Sequence, residues 1–207
     1  MSASTDFDVV DHLIGSRPDD RISAIRDNRP EAREHLQGSF RAFFEPRDDS
    51  QFTLRERFAV AAFVACLHGV DAATRFYTDR LLDSREGSTT LPDVVLVESR
   101  RGATEGPYGQ FRLELAGEST TGTEYVIDSV ESVDVLGGRL VAALEHTHLL
   151  VFHPRDASRA RLQALLDAGW STTGIVSLSQ LVAFLTFQIR VVQGLQALSA
   201  SREGDLS

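Results

Sequence analysis

Apolar positions recur at helical rather than alternating spacing over most of the chain. From Pro30 onward Leu36, Phe40, Phe43 and Phe44 fall near one face, and Pro46 stands just beyond them, which predicts a helix with a single apolar side. Thr53 precedes a run of alanine, valine and phenylalanine. Its hydroxyl can accept from the Glu56 amide while the Glu56 carboxylate returns to the Thr53 amide, a capping box that starts a helix running to about Leu67, with Gly69 as the break. Residues 71–82 predict another helix. Residues 145–152 end a helix ahead of His153 and Pro154, because a residue preceding proline is pushed out of helical geometry. Asp156 is placed to cap a short helix that Gly169 ends. The last long element, residues 177–198, is apolar on more than one face, the pattern of a central helix or one at a subunit interface.

The exception is the stretch 84–137, rich in glycine, serine and threonine. Two alternating segments there, QFRLEL and EYVIDSV, flank GESTTGT, so a small β-hairpin or an irregular excursion is expected. The predicted architecture is all-α: one domain over residues 1–198 with 84–137 as an insert-like segment, and residues 199–207 as a flexible tail. The chain also echoes itself. Phe44-Glu-Pro-Arg-Asp48 returns as Phe152-His-Pro-Arg-Asp156, and TLRERFAVAAF from Thr53 matches SLSQLVAFLTF from Ser177 at the cap, the leucine, Glu/Gln, one alanine and the last phenylalanine. This reads as an internal duplication of a helical unit, with chance similarity between amphipathic helices as the rival.

Composition removes several chemistries. With 207 residues, 42% hydrophobic and 25% charged, the chain can bury a sizeable core. Its 21 cations against 30 carboxylates give a net charge of -9, so neither nucleic acid nor an anionic membrane surface is expected as a partner. All 21 cations are arginine, which excludes a Schiff-base lysine and a phosphate-loop lysine. The single cysteine, Cys66, excludes an intramolecular disulfide, a dithiol redox pair and a multi-cysteine zinc site. Residues 1–11 lack the basic end and apolar run of a secretory signal, so a cytoplasmic location is expected. The longest apolar run, residues 58–67, has ten residues against the roughly 20 of a bilayer span, so no transmembrane segment is expected.

Candidate chemistry is sparse. Among the six histidines, Glu145 and His148 alone have convincing spacing to share one helical face, and a bundle di-metal site needs a second such pair, so no metal and no cofactor are expected. His146 and His148 lie about 200° apart around a helix and diverge. His35 reads as a solvated surface histidine. Cys66 and His68 leave a helix on nearly opposite sides, and Cys66 reads as a small core filler. Gly106-Pro-Tyr-Gly109 is either a pocket lip presenting Tyr108 or a structural turn. Gln180, Gln188, Arg190 and Gln193 are the polar members of the oily last helix and, if buried, need partners.

The segment TLRERFAVAAFVACLHGVDAATRFY resembles the signature of the alkylhydroperoxidase D and carboxymuconolactone decarboxylase family, in which a capped Ala/Val/Leu helix ends at glycine before Cys-x-x-Cys-x-x-x-His. AGWSTTGIVSLSQLVAFLTFQIRVVQGL is similar to the closing helices of peroxidase-related members, and ALEHTHLLVFHPRDA extends the likeness to most of residues 30–198 outside the middle excursion. Aligned on Gly69, the family's redox cysteines fall on Val70 and Ala73, its histidine on Tyr77 and its upstream glutamate on Phe58. Valine and alanine neither attack a peroxide nor resolve a sulfenate. The resemblance therefore implies an alkylhydroperoxidase-like helical fold that self-associates as trimers or hexamers, with a residual cavity of Phe58, Cys66, Val70, Ala73 and Tyr77 for a small apolar ligand. Three functions follow in order: a non-redox accessory or ligand-binding protein; an acid–base enzyme on a small organic acid or lactone, with Glu145, His146 or His148 moving protons and an arginine holding a carboxylate; and a single-cysteine peroxidase using Cys66.

Overall fold

The computed structural model describes residues 7–15, 21–84 and 89–200. Among them the chain is all-α, with helices α1 (Val9–Ile14), α2 (Arg21–Asp27), α3 (Pro30–Phe44), α4 (Leu54–Leu67), α5 (Asp71–Asp83), α6 (Leu91–Gly102), α7 (Val130–Phe152), α8 (Arg159–Asp167) and α9 (Thr172–Ala200). Short 3₁₀ turns occupy Leu113–Glu118 and Pro154–Asp156. The chain forms two compact units, one of residues 1–47 with 187–207 and one of residues 48–186.

In the first unit Asp8 caps α1 by accepting from the amides of Val10 and Asp11, each at 2.9 Å. The same carboxylate takes the Arg26 guanidinium at 2.8 Å and Arg33 Nε at 3.2 Å, and Asp11 pairs with both arginines, so charge ties α1, α2 and α3 together. Hydrogen bonding to Asp8 and Asp11 outweighs burial and raises the Arg26 pKa, keeping that buried guanidinium charged. The predicted α3 is present, with Leu36, Phe40 and Phe44 buried. Six- and seven-residue helices such as α1 and α2 are too short to show a period, and no prediction covered them.

The second unit is built around α4, buried continuously from Arg57 to Ala65, which is why its sequence shows no polar face. Its capping box is as expected: Thr53 Oγ1 accepts from the Glu56 amide at 3.2 Å, and a Glu56 carboxylate oxygen accepts from the Thr53 amide at 2.9 Å. α5, α6 and α7 pack on it.

Several expectations are corrected. Residues 84–137 contain no strand among the described residues, and only an isolated pairing of Gly109 with Thr120 stands where a hairpin was expected. The alternation in EYVIDSV is real, since Tyr125 and Ile127 are buried between the exposed residues Glu124, Val126 and Asp128, but its backbone is satisfied by helix side chains instead of a second strand. α6 escaped notice because its buried face mixes Leu91 and Val95 with Glu98, Ser99 and Gly102. α7 begins inside the excursion and is broken at Gly137, whose φ of +72° favours glycine. Ser158, not Asp156, caps α8.

α9 starts five residues ahead of Ser177, so Ser177 is no cap and the parallel with Thr53 fails there. The two Phe-x-Pro-Arg-Asp segments do each follow a helix end, at Phe44 and Phe152. Ser199 and Ala200 of the expected tail complete α9, while residues 1–6 and 201–207 lie outside the described residues. By length and composition alone, α7 and α9 are apolar enough to cross a bilayer, which the ten-residue run had not suggested; 50% of the α7 window and 44% of the α9 window are buried within the fold. Half-burial together with buried His146, Thr147 and His148 gives α7 the character of a core helix.

Candidate functional site

The polar interior of the second unit is assembled where residues 122–128 cross α6 and α7. Tyr125 donates its hydroxyl hydrogen to Glu98 Oε2 at 2.8 Å and stacks on His148, with ring centroids 4.6 Å apart at 25°. Ile127 N–H donates to Glu145 Oε1 at 2.8 Å. Arg101 of α6 donates to the Val126 carbonyl, and Arg161 of α8 pairs with Glu124. Packing at Gly102 is tight: a Cβ there would sit 3.0 Å from the Tyr125 ring and 3.1 Å from the His148 ring, so both rings would have to give way by a few tenths of an ångström.

Two histidines face this region with complementary proton placement. The Gly102 carbonyl accepts from His148 Nε2 at 2.8 Å, so in the neutral ring Nδ1 is left as an acceptor. Burial, reinforced by His153, pushes the His148 pKa below the ordinary imidazole range and favours that neutral form. His153 follows the end of α7. Its Nδ1 lies 3.2 Å from Asp156 Oδ2 across the 3₁₀ turn, the carboxylate accepting and therefore fixing the proton on Nδ1. His153 Nε2 is buried with no hydrogen-bond partner. Tyr108 props this ring at a centroid distance of 5.0 Å and is held by its own amide, which donates to the Phe152 carbonyl at 2.6 Å. The expected turn at Gly106–Gly109 is irregular chain ending in the Gly109–Thr120 pairing, and through Tyr108 it braces the His153 ring.

A cavity of about 190 Å³ opens here, lined among others by Tyr125, Glu145, His148, His153, Asp156 and Arg161. Burial raises the Glu145 pKa above the ordinary carboxyl value despite the opposing Ile127 amide and Arg161. A second hollow of about 330 Å³ lies on the Arg101 side and shares Glu124, Tyr125 and His148 with the first. Compared with family models, curated proteins and solved structures, the chain finds no match in any of the three.

Of the candidate residues, Glu145 and His148 come together as their spacing predicted. His146 diverges from them: it is buried, its Nε2 lies 3.4 Å from Ser179 Oγ, and burial lowers its pKa. Phe58, Val70, Ala73 and Tyr77 are buried core residues and Cys66 is half-buried, and none of the five lines either polar hollow. A wholly different apolar hollow of about 530 Å³ lies between α8 and α9, walled by Leu162, Leu166, Ile175, Val176 and Ala183. Gln180 stands at its edge, while Gln188 is fully buried further along α9 and Arg190 and Gln193 are exposed. Among the described residues no group of three or more His, Cys, Asp or Glu is placed to hold a metal ion.

His153, Asp156, Tyr125 and Arg161 were missed. The signal for the first two is a histidine and an aspartate three apart around Pro154, a segment whose pattern reads as a helix stop, a cap at Asp156 and half of an internal echo rather than as a pair. Because His153 Nε2 needs a partner to offset its burial, His153→Phe is expected to lose little stability, within about 1 kcal/mol in urea unfolding, whereas an ordinary buried hydrogen-bonded histidine loses more.

Proposed function

We propose that the second unit binds a small polar molecule beside His153 and performs acid–base chemistry on it, with His153 as general base, Asp156 orienting it and Glu145 as proton donor. The observation that carries this reading is the His153–Asp156 pair: its outer nitrogen is buried and unpartnered, and both residues line a cavity that also holds His148 and Glu145. A hydrogen-bonded carboxylate that sets the tautomer of an imidazole is the usual way to present a lone pair for proton abstraction. The volume of about 190 Å³ lies below that of cavities for drug-sized ligands, about 300–1,000 Å³, so the substrate is small. A small lactone or another compact carbonyl compound fits this chemistry. The thiol route has less support, since Cys66 lines neither polar hollow.

The test is kinetic. Small lactones, esters and C–H-acidic carbonyl compounds are incubated with the protein in deuterium oxide, and hydrolysis or exchange is followed by proton NMR. For any compound that reacts, His153→Gln should slow turnover by about 10²–10⁴-fold, the weight of a positioned acid–base group. Equal rates for the wild type and His153→Gln would contradict the reading.

A further inference from the structure

Two apolar surfaces of the second unit stand open to solvent. The hollow of about 530 Å³ between α8 and α9 is walled by Leu162, Leu166, Ile175, Val176 and Ala183. Leu165 is the one buried side chain of α8, while Leu162 and Leu166 are exposed. A nine-residue helix is too short to stand on propensity alone, so contact on these two leucines would strengthen it. The hollow asks for an apolar occupant, because the Ser179 hydroxyl on its wall already donates to the Ile175 carbonyl at 2.9 Å. The other surface is the 3₁₀ segment Leu113–Glu118, in which no residue is buried and Leu113 and Leu115 are 89% and 50% exposed. This segment is nonetheless held in shape. The Phe111 amide donates to Ser119 Oγ at 2.9 Å, the Ser119 amide donates to the Ala116 carbonyl at 3.0 Å, and the Arg155 guanidinium lies 3.9 Å from the Phe111 ring centroid. A pre-formed loop that presents leucines to solvent loses little freedom on docking.

The charges of the two surfaces match when they are laid antiparallel. α8 begins with Arg159 and ends with Asp167, about 12 Å further along at 1.5 Å per residue. The loop runs from Arg112 to Glu118, about 12 Å at the 3₁₀ rise of roughly 2.0 Å per residue. Leu162 and Leu166 lie between the first two charges, and Leu113 and Leu115 between the second two. All four charged residues are exposed, and none is in an ion pair among the described residues. Two hollows placed face to face would enclose empty space and leave Leu113 bare, whereas a knob in a hollow fills the one and covers the other. We infer that copies of this chain associate loop to hollow: Leu113 and Leu115 of one copy enter the hollow between α8 and α9 of another, with Glu118 facing Arg159 and Arg112 facing Asp167. Each contact joins two different surfaces, so a copy that lacks one of them still offers the other.

Sedimentation velocity of the full chain over about 1–200 µM, the range of weak contacts between small surfaces, tests this against the monomer mass of 22.8 kDa. Species heavier than the monomer are expected to grow with concentration. Leu113→Asp and, on the opposite surface, Val176→Glu should each raise the dissociation constant at least about tenfold, the weight of one buried aliphatic side chain. Both residues are exposed, so neither change should shift the urea unfolding midpoint of the monomer. An equimolar mixture of the two variants should form a 1:1 complex that neither forms alone, since one brings an intact hollow and the other an intact loop. That complex also shows that both variants are folded. A chain that stays at 22.8 kDa throughout overturns the inference. So does association that Leu113→Asp leaves untouched, which would mean paired hollows or another face, and so does a mixture of the variants that fails to assemble.

Discussion

Glu98→Ala should destabilise the protein by about 2–3 kcal/mol, the cost of taking a charged acceptor away from buried hydrogen-bond donors. The Glu98 side chain is 1% exposed and Arg101 Nε donates to it at 2.8 Å. Its carboxylate also receives the Tyr125 hydroxyl at 2.8 Å and interacts with the buried Ser132 hydroxyl. Removing it takes the carboxylate from Tyr125, whose hydroxyl keeps only the Glu98 backbone carbonyl at 3.1 Å as its tie to α6, and Tyr125 forms one wall of the cavity. Burial alone would raise the Glu98 pKa, but the hydrogen bonds from Ser132, Tyr125 and Arg101 together with the Arg101 charge win, and the pKa is lowered. The sign of the pH effect follows. A carboxyl held lower in the folded than in the unfolded chain contributes stability that is complete above the unfolded value and is lost as pH falls through the folded one. Glu98→Gln should therefore flatten the acid limb of a stability-against-pH curve measured by urea unfolding, whereas a wild-type limb unchanged by the substitution would remove Glu98 from the account.

Arg139→Ala should cost about 2–4 kcal/mol, and Arg139→Lys should recover little of it, because the role depends on a planar fork. Arg139 Nε donates to Glu56 Oε1 at 2.6 Å, and its two terminal nitrogens reach the carbonyls of Gly169 at 2.6 Å and Gln51 at 2.8 Å. The guanidinium lies 4.0 Å from the Trp170 ring centroid, and Trp170 Nε1 donates to the Arg139 carbonyl at 2.9 Å. One side chain thus fastens the start of α4, the first part of α7 after Gly137 and the turn between α8 and α9. A lysine offers one compact charge and can satisfy Glu56 or a carbonyl but not the stacked, three-way arrangement. Thermal unfolding of the two variants beside the wild type reads this directly: full recovery by lysine would show that charge alone matters.

The legibility of the fold varied with how each segment meets its obligations. The capping box at Thr53 and the stop before Pro154 depend on neighbours a few residues away, and both stand in the structure as they were read. Residues 124–128 were legible as extended chain but not as to their partners, since the groups that satisfy them belong to Arg101, Glu145 and Arg161, distant in sequence. α6 was hidden by polar residues on its buried side, and no neighbour of Arg139 in sequence marks its role, since its partners Gln51, Glu56 and Gly169 lie at least 30 residues away. The site was half visible: Glu145 and His148 declared themselves by spacing, while His153 and Asp156 gain meaning only when the 3₁₀ turn folds one onto the other. Phe58, Val70, Ala73 and Tyr77, singled out by family resemblance, lie in the core apart from both polar hollows, so the cavity suited to chemistry is a different one.

The proton positions of the two histidines bear most directly on this account. Long-range nitrogen–proton correlation spectra of the ¹⁵N-labelled chain at about pH 8 distinguish the tautomers of each ring. Opposite tautomers are expected, with the proton on Nε2 in His148 and on Nδ1 in His153. A His153 that carries its proton on Nε2, or exchanges freely between the two forms, would mean that Asp156 does not orient it and that no lone pair is presented to the cavity.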